Sequence, residues 1–112
     1  MPNSYIPKMN QVIEDYADLV KQVTEVDAKA AVVEQWSIER IAKRDAQRCD
    51  AEAAITEARS IMDRVQALDV EFDAARGRLD IPAAGRISAE SMQLVEEKQE
   101  VLKRVRAYTR RP

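Results

Sequence analysis

Few residues in this chain could carry out chemistry. Of its 112 residues none is histidine and one is cysteine, Cys49. Without imidazole there is no Ser-His or Cys-His pair and no usual metal-ligating ring. A single thiol excludes a cysteine-rich zinc site within one chain, and the Glu-x-x-His pattern of di-iron bundles is missing. Two glycines eight residues apart, Gly77 and Gly85, cannot build a phosphate-cradling loop. The expectation is a non-enzymatic protein with no catalytic residue, no cofactor, no metal and no small-molecule substrate.

The remaining candidates each have a bland reading. Carboxylates gather at Glu14-Asp15-Asp18 and at Glu96-Glu97-Glu100, where they could hold a divalent cation or move a proton. On helices this polar they read better as a solvated face, with Glu100 pairing to Arg104 one turn on. Arg48 beside Cys49 could lower the thiol pKa, although a lone cysteine is more often a small hydrophobe in a helix contact. Trp36 and Tyr16 could anchor a partner, as Trp and Tyr do at interface hot spots, or fill a core.

One stretch has a distinct functional reading. After Glu100 the only charges are basic: Lys103, Arg104, Arg106, Arg110 and Arg111, with Tyr108 among them. Such a segment could contact an anionic partner, either nucleic-acid phosphates and a stacked base or an acidic protein surface. It also suits a helix C-terminus, whose dipole favours cations. Formal net charge is only −2, so no global field draws the chain to nucleic acid or membrane.

The elements that must position these residues are helical. Charged residues make up 34% of the chain and aromatics 4%, and alanine, arginine, glutamate and valine dominate. Ala51, Ala54, Ala58, Ile61, Val65, Leu68, Phe72, Ala75 and Leu79 recur at alternating steps of three and four, one stripe of a helix. Met9, Val12, Tyr16, Leu19, Val23, Val26, Ala30 and Val33 repeat the pattern six whole heptads earlier. No alternating strand pattern occurs and no apolar run approaches a membrane span. With no signal peptide at Met1-Pro2-Asn3, the expected location is the cytoplasm, or inside a larger particle.

The spacing predicts an all-α chain: a short arm over 1–7, a long amphipathic helix over 8–76, a loop at 77–87 and a returning antiparallel helix over 88–109. Lys8 to Arg76 contains neither Gly nor Pro, which favours one unbroken rod of about 105 Å. The alternative is a break within 36–50, where the seam turns polar at Ser37, Arg40, Arg44 and Gln47 and Ser37 could cap a new helix. Gly77 suits a helix end, and Ser88 suits the cap of the last helix.

A last helix of about 20 residues spans about 30 Å and covers only about residues 55–76 of such a rod. Met9, Val12, Tyr16, Leu19, Val23, Val26 and Val33, with Trp36, then form a surface for another chain. Burying each is worth about 1.5–3 kcal/mol. The functional expectation is a structural, assembly or adaptor protein acting through coiled-coil-type contacts, as a homo-oligomer or part of a larger assembly such as a phage particle. The alternatives are a nucleic-acid-associated protein using the basic C-terminus, and a small inhibitor docking one helix face onto an enzyme.

Overall fold

In the computed structural model, which describes residues 5–110, the chain forms three helices and no strand: α1 (Tyr5–Val33), α2 (Ile38–Gly77) and α3 (Ile81–Thr109). They make an elongated bundle of 64 × 20 × 18 Å. The all-α expectation and the pairing of the last helix on the second hold. The unbroken helix does not. α1 turns back at 34–37 and packs on both α2 and α3.

The break needs no glycine because Gln35 takes the left-handed conformation itself, with φ at 52°. That costs about 1–2 kcal/mol in a residue with a Cβ. In return the Trp36 N–H reaches the Ala31 carbonyl at 3.0 Å, so the helix end is closed by a bond six residues round. Ser37 then caps α2, its Oγ accepting from the Arg40 N–H at 3.2 Å. Glu39 in the first turn suits the helix dipole.

The second turn repeats the device and corrects the expected loop. Leu79 is left-handed at φ 59°, and Asp80 N–H bonds the Ala75 carbonyl at 2.9 Å. Gly77 has no positive φ and is the last residue of α2, so it ends the helix without serving as the left-handed cap. Asp80 caps α3 through Oδ1, which accepts from Ala83 N–H at 3.2 Å. Pro82 sits in the first turn, where its missing N–H is not needed. The loop therefore shrinks from 77–87 to 78–80, and Ser88 lies within a helix of 29 residues instead of starting one. The start of α1 at Tyr5 likewise shortens the expected arm; residues 1–4 lie outside the described ones.

The stripe from Ala51 to Ala75 is buried apart from half-buried Phe72. Ala51, Ala54 and Ala58 have no exposed surface, and side chains this small let helices approach closely. Ile6, Ile13, Val20 and Val23 of α1 join Val101, Leu102, Val105 and Tyr108 of α3 in the same core. The premise that residues 9–33 find no cover in their own chain is thus overturned, because the break lets α1 supply and receive that cover. Removal of the Ser37 cap by Ser37→Ala costs about 1 kcal/mol in chemical denaturation, and Ser37→Asp restores it. Gln35→Gly, which relieves the left-handed strain, leaves the fold intact or raises its melting temperature.

Candidate interaction surfaces

The polar residues that interrupt the seam converge on one node. The Arg44 Nε donates to Asp27 Oδ2 at 2.7 Å, its Nη1 to Gln47 Oε1 at 2.8 Å and its Nη2 to the Tyr108 carbonyl at 3.2 Å. The guanidinium also lies over the Tyr108 ring, 4.3 Å from its centroid. The Tyr108 hydroxyl shares a hydrogen bond of 3.0 Å with Thr24 Oγ1. Arg44 thereby ties α1, α2 and α3 together at one end of the bundle. Asp27 follows Val20 by seven residues on the buried edge of α1, so its charge is enclosed, and Arg44 compensates it.

Along the rest of the bundle, cross-helix ion pairs hold the flanks. Arg59 grips Glu14 with two bonds, at 2.7 and 3.0 Å. Arg104 reaches Asp50 at 2.6 Å and Glu57 at 2.9 Å, and Arg64 reaches Glu90 at 3.1 Å. The hydrogen bond from Arg59 holds the Glu14 carboxyl below its ordinary value, and that from Arg104 does the same for Asp50. Both contributions are present above the ordinary carboxylate range and fade as pH falls through the lowered values. All these pairs are half in water and are individually weak.

These pairs change the reading of the basic segment. Arg104 is engaged by Asp50 and Glu57, not by Glu100, which instead accepts from Lys103 at 2.8 Å. Arg106 is half-buried, and its Nε is enclosed without a hydrogen-bond partner among the described residues. Arg110 is exposed and ends α3, and Arg111 lies outside the described residues. The carboxylate clusters make no metal-holding group among the described residues. Cys49 is exposed and does not fill the expected helix contact.

The expected α1 surface divides lengthwise. Ile6, Ile13, Val20 and Asp27 are buried, and Val23 is buried beside them. Met9 and Tyr16 are half-buried against the core. The row Tyr5, Val12, Leu19, Val26 and Val33, one residue in every seven, stays exposed, from 38% for Leu19 to 82% for Val33. Around the first corner Val32, Ile38 and Ile41 are exposed as well, and half-buried Trp36 carries the Arg40 guanidinium 3.9 Å over its ring.

A further feature escaped the sequence. α1 begins at Tyr5, with Met9 beside Leu68, so among the described residues the last turns of the α2–α3 hairpin have no third helix. There Met9, Leu68, Phe72, Ile87, Met92 and Val95 line an open groove of about 420 Å³. The only advance signal was the heptad stripe continuing to Phe72 and Ala75 beyond any residue of α1 that could face it. No protein family, curated protein or solved structure matches this chain. No helix among the described residues is long and apolar enough to cross a membrane.

Arg44→Ala takes the guanidinium away from the enclosed Asp27 carboxylate and lowers unfolding stability by about 2–4 kcal/mol, and combining it with Asp27→Ala recovers part of that loss in a double-mutant cycle. Lys98, which interrupts the stripe of α3, is enclosed at 3% exposure, and burial pushes its ammonium below the ordinary 10.5. The unfolded chain keeps that proton to higher pH than the folded one, so this group's penalty on folding lessens as pH rises toward 10.5. Lys98→Met accordingly raises the melting temperature at neutral pH, and the gain over wild type narrows as pH rises toward 10.5.

Proposed function

We propose that this is a non-enzymatic assembly protein that works through helix–helix contacts with other copies of itself. The observation carrying this reading is the exposed apolar row on α1. A folded domain that has already buried one edge of α1 has no internal use for Val12, Leu19, Val26 and Val33 at heptad spacing. Scattered surface hydrophobes need no explanation, but a row along a whole 29-residue helix is a seam. A second helix laid along it removes four to five large side chains from water, with α1 of another copy the natural occupant.

The basic C-terminus gives the nucleic-acid alternative less support, since Lys103 and Arg104 already answer carboxylates of the same chain. The inhibitor alternative asks for a monomer. Sedimentation analysis of the wild type and of a Val12→Asp, Leu19→Asp, Val26→Asp variant separates these readings. The wild type is expected to exceed the monomer mass of 12.7 kDa in a concentration-dependent way. The variant is expected to fall toward that mass with its helicity intact, because the three side chains are exposed. Equal masses for the two proteins at every concentration overturn the role of the row.

A further inference from the structure

We infer that two copies of this protein pair with their α1 helices parallel and in register, so that Asp18 and Glu25 of one meet Arg106 of the other. The inference rests on the assembly reading and adds the direction of the pair and the polar contacts that fix it. It concerns the middle of the row, around Leu19 and Val26. Leu19 lies about 21 Å along α1 from Tyr5, farther than four residues reach at full extension, about 14 Å.

The helices themselves set the geometry. The residue after each member of the row (Ile13, Val20, Asp27) is buried, so the residue before it (Gln11, Asp18, Glu25) lies on the solvent side. α2 lies beyond the opposite flank of α1, where Arg59 holds Glu14. α3 runs parallel to α1 beside the row. Met9 meets Met92 and Val95 toward one end, and toward the other Thr24 bonds Tyr108, 84 residues later in sequence. On α3, Glu90 and Arg104 turn to α2, so Met92, Gln99 and Arg106 form the flank on the α1 side. Row and flank are therefore neighbours, and a helix laid on the row also touches α3. If that helix is a parallel α1, its solvent edge is the part that faces α3. With the same offset of 84, Asp18 and Glu25 of the second copy bracket Arg106, one turn to either side.

Arg106 is the residue left incomplete by its own chain. It is half-buried with its Nε enclosed, and no hydrogen bond or ion pair reaches its guanidinium among the described residues. Asp18 and Glu25 are exposed carboxylates that likewise have no partner there. The other charges on the two edges follow the same order. Lys8, which lies 5.9 Å from the Tyr5 ring centroid, comes within a turn of Glu96 of the second copy. Asp15 comes within a turn of Lys103, although Asp15 already accepts from Gln11 at 2.9 Å and Lys103 donates to Glu100. Lys29 passes the end of α3. An antiparallel pair centred on Leu19 instead turns the two α3 flanks toward each other. It gains Glu96 against Arg110 but sets Lys103 against Lys103 and Lys8 against Lys29. The carboxylate it brings to Arg106 is Glu100, which Lys103 already holds. Charge thus selects the parallel pair, as it selects orientation in coiled coils.

The test removes exposed Cys49 by Cys49→Ser and adds one cysteine to the row, by Val12→Cys or by Val26→Cys. In a glutathione redox buffer each of these proteins alone is expected to form a disulfide-linked dimer. A mixture of the two is expected to give no link between unlike chains, because a disulfide needs Cα atoms within about 7 Å and unlike positions lie about 21 Å apart in the parallel pair. Links only between unlike chains mark an antiparallel pair and overturn the inference, while leaving assembly through the row in place. No link in any sample, with the wild type above monomer mass, overturns it as well. A wild type that is monomeric at every concentration overturns the assembly reading itself, and this inference with it. A second measurement reads the charges. Asp18→Lys with Glu25→Lys is expected to weaken association about tenfold, and adding Arg106→Glu is expected to recover most of that loss, with circular dichroism unchanged. A triple variant that associates no more tightly than the double overturns the pairing of these edges.

Discussion

The fold depends on α1 lying back along α2, and the Arg44 guanidinium is where that return is fixed. A carboxylate buried on α1 draws it, the ring of Tyr108 covers it and the Tyr108 carbonyl accepts from its Nη2. Three helices joined only by apolar edges could slide by a turn at little cost. A planar cation with directed partners on all three sets their register. The polar break in the heptad seam at Ser37, Arg40, Arg44 and Gln47 is therefore where the fold turns and is locked. What looked like a weak point in a continuous helix is the hinge of a hairpin.

Both corners are built alike. A residue with a Cβ, Gln35 in one and Leu79 in the other, occupies the left-handed conformation, and an amide one residue on closes the preceding helix. Each corner then hands the chain directly to an oxygen cap, Ser37 or Asp80. The backbone strain at each is about 1–2 kcal/mol, which the burial of a single large apolar side chain offsets. Tight turns without glycine are thus feasible where the helices they join bury enough on each other, as α2 and α3 do along their alanine seam.

Unequal helix lengths shape what is left for other molecules. α2 has 40 residues and its neighbours 29 each, displaced toward opposite ends. One end of the bundle consequently closes on the Arg44 node and the other remains a two-helix fork. The first helix, placed on the rim, can bury only one edge of a stripe that is two residues wide per turn. Exposed apolar surface along α1 and at the fork is what that geometry leaves.

The sequence by itself determined the helical class, the buried stripe from Ala51 to Ala75 and the return of the last helix upon it, because heptad spacing is a local, one-dimensional property. The start of α2 at Ser37 was visible as an alternative but lost to the absence of Gly, Pro or Asn, since a residue's tolerance of strain depends on contacts that spacing does not record. The early start of α3 was hidden for the same reason: Pro82 and Gly85 read as breakers, yet one sits in a first turn and the other is carried within a packed helix. Of the expected surface, only tertiary structure decided which edge faces in. Ile13 and Val20, which lie beside the Met9–Val33 stripe, went to the core, and Val12, Leu19 and Val26 went to water. That choice follows from where two other helices lie, and a helix cannot encode within its own repeat the direction from which its neighbours will approach.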